Sequence, residues 1–137
     1  MTKLKKYQMF INGEWIDSEN NKTFETLNPE NNEPWAVVPE ASANDVNKAV
    51  NAAQKAFEGE WPKLLPKERA KFLRAIGEQL RENAEMLGEI ETIDTGKIIR
   101  ETKKQAIYIA DYYDYYAGLA DKVEGTVVPI DKPDMQV

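Results

Sequence analysis

The change from strands to helices lies in residues 38–57, which read VPEASANDVNKAVNAAQKAF. Pro39 closes a short apolar strand, and Ser42 with Asp45 three residues later is typical of a capped helix start. Apolar residues then recur at helical spacing before Gly59, a common helix stop: Val46, Ala49, Val50, Ala53, Ala56 and Phe57. This stretch therefore predicts a mixed α/β fold in which the strands come first.

Short strands and turns are predicted before this stretch. Tyr7–Ile11 and Glu14–Ile16 flank Asn12-Gly13, a strong signal for a two-residue hairpin turn. Thr23–Leu27 and Trp35–Val38 are the next strands, separated by a segment rich in Asn and Pro. Together they predict a small antiparallel meander. Because a few short strands are marginally stable alone, we expect a helix or a sheet to cover them.

Three more helices are predicted after residue 60. One begins at Pro66, the next follows Asn83 and ends at Gly96, and the last runs roughly from Ile99 to Asp121. The segment Thr126–Ile130 is a predicted strand with nothing in the chain to pair with. This order is hard to close into one compact domain. We therefore expect the chain to be a piece of a longer protein, with apolar helix faces that lack a full partner surface.

The composition excludes several classes of function. The chain has no Cys and no His, so it lacks a thiol nucleophile, disulfides and the usual ligands of Zn, Cu and Ni. A net charge of −6 argues against nucleic acid as a partner, and no apolar run is long enough to span a membrane. We expect a cytoplasmic protein. No glycine-rich phosphate loop and no converging carboxylates are found, so no catalytic and no cofactor-binding residue is assigned.

The predicted fourth helix is unusually rich in tyrosine, at Tyr108, Tyr112, Tyr113, Tyr115 and Tyr116. A second face carries mostly alanine, at Ala106, Ala110, Tyr113, Ala117 and Ala120. A helix that is apolar around so much of its circumference is buried or lies at a subunit interface, and the spacing favours this packing. A phenolic acid–base group and an aromatic cage for a cationic ligand are the alternatives.

Asp94 in the segment ETIDTGK, residues 91–97, is an oddly placed carboxylate. It lies one turn before Gly96, at the negative end of a predicted helix, which costs about 0.3–1 kcal/mol unless something positive neutralises it. One interpretation is that the side chain binds nearby backbone groups, or pairs with Lys97 or a distant Arg. The other is a ligand of a hard cation, with backbone carbonyls as the remaining donors. Spacing alone favours the first.

Five segments, in this order and at this spacing, resemble the NAD(P)-dependent aldehyde dehydrogenase superfamily, including its betaine-aldehyde-dehydrogenase-like members. They are FINGEWIDS (10–18), TLNP (26–29), the quoted residues 38–57, ETIDTGK (91–97) and YYAGLADKVEGTVVPID (115–131). The resemblance covers nearly the whole chain. It implies an incomplete α/β domain of a meander, four helices and a last strand. Residues 1–123 would be the N-terminal part of the cofactor-binding domain, and residues 124–137 the start of a β oligomerisation arm.

The resemblance also implies an activity for the full-length parent. Such enzymes oxidise an aldehyde to a carboxylate with NAD or NADP through a Cys thiohemiacetal, and assemble as homodimers or homotetramers through the β arm. The family's nucleophilic Cys, general-base Glu, oxyanion-binding Asn and glycine-bearing cofactor motif all lie beyond this chain. We therefore expect the chain alone to be inactive.

A monovalent cation, K⁺ or Na⁺, is a further implication of the resemblance. Many members hold one with the main-chain oxygens of two residues that here are Thr26 and Leu27, and with a carboxylate that here is Asp94. The family's further ligand lies outside this chain.

Two other functions remain open. The chain could be a non-catalytic interaction or scaffold protein derived from this fold, as the strand Thr126–Ile130 and the tyrosine-rich helix suggest. It could also be a truncated gene product with no function of its own. The sequence does not choose the aldehyde, and it does not choose between NAD and NADP.

Overall fold

The computed structural model describes residues 4–126. The strands are β1 (Lys5–Lys6), β2 (Met9–Ile11), β3 (Glu14–Ile16), β4 (Thr23–Asn28) and β5 (Glu33–Pro39). The helices are α1 (Ala43–Glu58), α2 (Pro66–Glu82), α3 (Ala84–Thr95) and α4 (Ile99–Leu119), with one 3-10 turn at Trp61–Lys63. The mixed α/β class and the four predicted helices are confirmed. Of the predicted strand Thr126–Ile130, residues 127–130 lie outside the described range.

No helix in the described range 4–126 is long and apolar enough to cross a membrane.

The strands form two small sheets. β2 and β3 pair antiparallel with Met9 opposite Ile16, across a turn in which Asn12 has φ 54° and Gly13 has φ 83°. Two successive positive φ angles are typical of a type I′ hairpin, so the predicted turn is confirmed. In the other sheet β5 lies between β4, which is antiparallel to it, and β1, which is parallel to it with Lys5 opposite Ala36.

The parallel pairing of β1 with β5 corrects one detail of the prediction. A single antiparallel meander joins strands that are neighbours in the sequence, whereas β1 skips three strands to reach β5. Turn residues specify a hairpin locally. No local signal specifies a pairing between strands so far apart in the chain, because it depends on how the whole segment folds back.

Helix α1 begins at a capping box of Ser42 and Asp45, of which Asp45 is buried. The Ser42 hydroxyl accepts a hydrogen bond from the Asp45 amide at 3.1 Å, and the Asp45 carboxylate accepts one from the Ser42 amide at 2.9 Å. The same carboxylate oxygen accepts a bond from the Glu19 amide at 3.1 Å. These backbone donors, first Ser42 and then Glu19, lower the pKa of Asp45 because they favour its ionised form. Asp45 therefore ties the turn before β4 to the first turn of α1.

Helices α2 and α3 both pack on α4 through small residues. The buried positions of this seam are Ala70, Gly77, Ala84, Gly88, Ala106, Ala110 and Ala117, with Thr102. A Cβ added at Gly88 would lie 2.8 Å from the backbone nitrogen of Lys103, so α3 and α4 approach closely there. Larger apolar side chains away from the seam, such as Val50, Phe72 and Met86, stay exposed in the described part of the chain.

Candidate functional site

The C-terminal end of α3 meets the loop after β4. Gly96 ends the helix in the left-handed region with φ 74°, and its amide binds the Thr92 carbonyl at 2.9 Å. A Cβ at Gly96 would lie 3.4 Å from the Cβ of Pro29, so glycine serves both the turn and the contact. The predicted helix end is confirmed. It also places Asp94 beside β4.

Asp94 contacts Thr26 across a separation of 68 residues. The Thr26 hydroxyl donates a hydrogen bond of 2.7 Å to Oδ1 of Asp94. Lys97 does not pair with Asp94; its ammonium group lies 2.5 Å from the Glu91 carboxylate instead. No ion pair within residues 4–126 involves Asp94, so the structure supplies a hydroxyl but no positive neighbour for this carboxylate.

Leu27 lies next to this contact at an irregularity of the sheet. Thr26 is opposite Ala36 but Leu27 is opposite Pro34, so Trp35 forms a bulge in β5. A bulge locally disrupts the ladder of backbone hydrogen bonds. The structure thus brings the side chains of Thr26 and Asp94 together, and Leu27 is the next residue of β4.

An open cleft of 570 Å³ adjoins this contact between the β4 loop and the end of α3. It is lined by Asn28, Pro29, Glu30, Thr92, Ile93, Thr95, Gly96 and Lys97. Within the described range, no three His, Cys, Asp or Glu residues cluster in a way that could hold a metal ion. A cation bound near Asp94 would therefore need main-chain oxygens as ligands.

The tyrosine face of α4, formed by Tyr108, Tyr112, Tyr115 and Tyr116, is exposed in the described part of the chain. Of the two predicted environments, burial and a subunit interface, residues 4–126 do not supply the first. Tyr112 is 48% exposed, and Tyr108, Tyr115 and Tyr116 are more exposed still. The alanine face forms the seam instead, and Tyr113 is half-buried beside it. The physical reason is that the small residues admit the backbones of α2 and α3, which leaves the opposite face of α4 uncovered. A subunit interface on that face stays a prediction.

Two of the tyrosines form a fixed pair. The hydroxyls of Tyr108 and Tyr112 lie 2.9 Å apart, and their rings are 5.0 Å apart with planes at 88°. The hydrogen bond with Tyr108 raises the pKa of Tyr112 above its usual value. A raised pKa weakens the alternative of a phenolic base at neutral pH, because the ionised form is rarer.

A cleft of 250 Å³ opens beside this pair, lined by Tyr108, Asp111, Tyr112 and Tyr115. The Arg81 side chain crosses from α2 and binds Asp111 at 2.8 Å and Asp114 at 2.5 Å. Hydrogen bonds to these two carboxylates raise the pKa of Arg81. No sequence pattern predicts this ion-pair network, since the partners lie 30 and 33 residues apart and no spacing rule joins them.

Comparison with known proteins gives close relatives along almost the whole chain. The (Z)-2-((N-methylformamido)methylene)-5-hydroxybutyrolactone dehydrogenase of Acinetobacter baylyi is 46% identical over 97% of this chain and 27% of its own length. The betaine aldehyde dehydrogenase of Bacillus subtilis is 42% identical over 93% of this chain and 26% of its own length. The chain thus spans about a quarter of the length of these relatives.

Solved structures agree with these relatives. The NAD-dependent aldehyde dehydrogenase of Sinorhizobium meliloti matches with a TM-score of 0.89 and 32% identity, over 97% of this chain and 27% of that protein. The betaine aldehyde dehydrogenase of Staphylococcus aureus, solved in complex with NAD⁺, matches with a TM-score of 0.87 and 38% identity, over 94% of this chain and 26% of that protein. The profile of the aldehyde dehydrogenase family matches residues 15–137, and this chain belongs to that family.

Proposed function

We propose that this chain is the N-terminal portion of an oxidoreductase that oxidises an aldehyde to a carboxylate with NAD or NADP. The observation that carries the proposal is the family match over residues 15–137. The Staphylococcus aureus relative, which was solved with NAD⁺, supports the choice of cofactor class. The reaction class runs through a Cys thiohemiacetal. Because this chain has no Cys, the nucleophile has to come from outside these residues, and the chain alone is inactive.

The described residues do not fit a dinucleotide by themselves. None of the glycines in the described part of the chain stands in a glycine-rich turn that leads from a strand into a helix, which is the element that cradles the pyrophosphate. No step of the reaction is therefore assigned to side chains of this chain. Its role in the proposal is structural support for the cofactor-binding domain.

The proposal includes a division of the chain. Residues 1–123 belong to the cofactor-binding domain, and residues 124–137 begin the β arm through which the parent forms a homodimer or homotetramer. The end of α4 at Leu119, followed by irregular backbone up to residue 126, supports a boundary there. The proposal places the enzyme in the cytoplasm, with no nucleic-acid and no membrane partner.

Aldehyde-dependent NADH or NADPH production tests this function. The gene product in its full encoded length and the 137-residue chain are purified and assayed with a panel of aldehydes. The full gene product is expected to be active and the 137-residue chain inactive. Activity of the short chain would defeat the claim that it is inactive alone. A folded full-length product with no activity on any aldehyde would defeat the enzymatic assignment.

The cation site is a second part of the proposal. Asp94 and the main-chain oxygens of Thr26 and Leu27 bind a monovalent cation, K⁺ or Na⁺, together with a ligand from outside the chain. Three observations support this: the Thr26–Asp94 contact of 2.7 Å, the absence of an ion pair to Asp94 within residues 4–126, and its position at a negative helix end. Oδ2 of Asp94 accepts no hydrogen bond from the described residues, so it can face a cation.

Crystals of the full gene product soaked in Rb⁺ or Tl⁺ test the cation site directly. An anomalous peak is expected within coordination distance of Asp94, and the Asp94→Asn variant should lose it. Glu30→Gln, which changes a nearby exposed carboxylate, is the matched control and should keep the peak. A crystal with no peak near Asp94 would leave this residue as a helix-end carboxylate bound to Thr26.

A non-catalytic interaction protein is a second candidate, because the tyrosine face of α4 is exposed. Size-exclusion chromatography with light scattering separates it from the first candidate. A well-folded monomer that binds no partner would count against an interaction role.

A further inference from the structure

The side chain of Thr26 has a role at the candidate cation site that its main-chain oxygen does not cover. Its hydroxyl donates a hydrogen bond of 2.7 Å to Oδ1 of Asp94. We propose that Thr26 is a positioning residue, whose hydroxyl holds the Asp94 carboxylate so that Oδ2 alone binds the cation. This inference rests on the proposed cation site, and it is independent of the aldehyde oxidation.

The backbone that carries Asp94 is held on both sides. Two residues earlier, the Thr92 hydroxyl lies 2.9 Å from that of Thr102, which is fully buried on α4. Two residues later, Gly96 packs on the loop after β4, where an added Cβ would lie 3.4 Å from the Cβ of Pro29. The backbone of Asp94 therefore has a set position. The freedom that remains is the rotation of its short side chain.

Thr26 is suited to remove that freedom. It is half-buried in β4, and its β-branched side chain is restricted at χ1, so the hydroxyl has a defined direction. A hydroxyl to an ionised carboxylate makes a bond of about 2.5–2.7 Å, roughly twice as strong as one between neutral groups, and the bond to Asp94 has this length. Because an oriented ligand loses less conformational entropy on binding, this bond favours cation binding.

The bond also sets how many oxygens of Asp94 are available to a cation. A threonine hydroxyl has one hydrogen to donate, and Oδ1 receives it. Oδ2 accepts no hydrogen bond from the described residues, and the ammonium group of Lys97 is held by Glu91 at 2.5 Å. Carboxylates bind hard cations through one oxygen or two. The contact with Thr26 favours the first mode, with main-chain oxygens as the other ligands.

A purely structural tie between β4 and α3 is the alternative role of this bond. Such a tie contributes equally with and without a bound cation, whereas a positioning bond contributes to cation binding itself. Thr26→Val separates the two roles. Valine keeps the β-branched shape and the main-chain oxygen, and it lacks only the hydroxyl.

Thermal unfolding of the full gene product over a series of KCl or NaCl concentrations tests the proposal, with ionic strength held constant by N-methylglucamine chloride. The readout is the cation concentration that gives half of the cation-dependent rise in melting temperature. Asp94→Asn should abolish this rise, which assigns it to the site. Thr26→Val should raise the half-saturating concentration about tenfold, and Thr26→Ser, which keeps a donor, should stay within about threefold of the wild type.

Thr23→Val is the matched control variant, because Thr23 is an exposed threonine at the start of the same strand. It should leave the half-saturating concentration unchanged. If Thr26→Val does not fold, Thr26→Ala takes its place, since it also lacks the hydroxyl.

Three results would overturn the proposal while leaving the cation site in place. They are an unchanged half-saturating concentration in Thr26→Val, an equal weakening in Thr23→Val, and a weakening in Thr26→Ser as large as in Thr26→Val. A rise that persists in Asp94→Asn, or no rise in the wild type, would overturn the cation site and this inference together. Aldehyde-dependent NADH production in the same preparations would still report separately on the proposed enzyme.

Discussion

The two faces of α4 behave in opposite ways although both are apolar. Ala106, Ala110 and Ala117 lie in a buried seam against α2 and α3, whereas the larger tyrosines opposite them remain about half exposed. Burial on this helix therefore follows side-chain size more than hydrophobicity. Small residues let two neighbouring backbones approach, and the contact they make occupies the covered side of the helix.

The largest expected effect comes from adding one methyl group to the seam. In Gly88→Ala the new Cβ would lie 2.8 Å and 2.9 Å from backbone atoms of Lys103, so α3 and α4 would have to move apart. We expect a loss of about 1–3 kcal/mol in the free energy of unfolding. Urea denaturation measures it.

Gly118→Ala is the control, since within residues 4–126 no atom outside its own stretch of helix lies within 4 Å of its added Cβ. It should be neutral or stabilise the protein by about 0.5 kcal/mol or less, because alanine has the higher helix propensity but Gly118 lies in the last turn of α4. Equal free energies of unfolding for Gly88→Ala and Gly118→Ala would contradict the close approach of α3 and α4 at Gly88.

Thr102→Val should have the next largest effect. Thr102 is fully buried, and its hydroxyl donates to the Gly88 carbonyl at 2.9 Å and lies 2.9 Å from the Thr92 hydroxyl. Valine has the same shape but leaves these partners without a hydrogen bond, which costs about 1–3 kcal/mol. Thr95→Val is the matched comparison, because it removes an exposed hydrogen bond from the Thr95 hydroxyl to the Glu91 carbonyl. A smaller loss of stability in Thr95→Val than in Thr102→Val would show that burial sets the cost of the lost bond.

The contact between α1 and the strands depends on charge, so its stability should depend on pH. Backbone donors lower the pKa of Asp45 in the folded state. Its contribution is therefore present above the unfolded-state pKa, about 3.9, and is lost as the pH falls through the lower folded-state value. Melting temperatures measured from neutral to acidic pH should converge for the wild type and Asp45→Asn. A constant gap between them would contradict this, and Glu25→Gln, an exposed carboxylate, should show little difference at any pH.

The smallest effect is expected on the tyrosine face. Tyr116→Ser removes a large ring that is already 57% exposed, so the free energy of unfolding should change by about 0.5 kcal/mol or less. Thermal unfolding monitored by circular dichroism measures it. A large loss in the full gene product would show that another part of the protein covers this face.

Local signals in the sequence predicted much of the fold. Asn12-Gly13 predicted the hairpin, and Gly96 predicted the end of α3. Ser42 and Asp45 predicted the start of α1. Each of these signals acts on neighbouring backbone groups. The parallel β1–β5 pair and the Arg81 network escaped prediction, because they join distant residues that share no spacing rule.

The candidate cation site could be predicted from local signals only in part. Spacing singled out Asp94 as an unusual carboxylate, but only the family resemblance named Thr26 and Leu27 as its partners. The hydrogen bond between Thr26 and Asp94 places two of the three residues together. The tyrosines were predicted to be buried or to lie at a subunit interface, and their hydrophobicity does not tell how much of the covering surface the chain itself provides.

The parallel pairing of β1 with β5 has a consequence for the order of folding. Lys5 cannot pair with Ala36 until the ribosome has synthesised the chain through β5. Closing so long a loop is also slower than forming a local turn. During synthesis β1 therefore stays unpaired until β5 has emerged, whereas the local β2–β3 hairpin can form earlier. All three strands of this sheet lie before residue 40, so their pairing precedes the helices along the chain, and the helices then have to pack on these short strands to stabilise them.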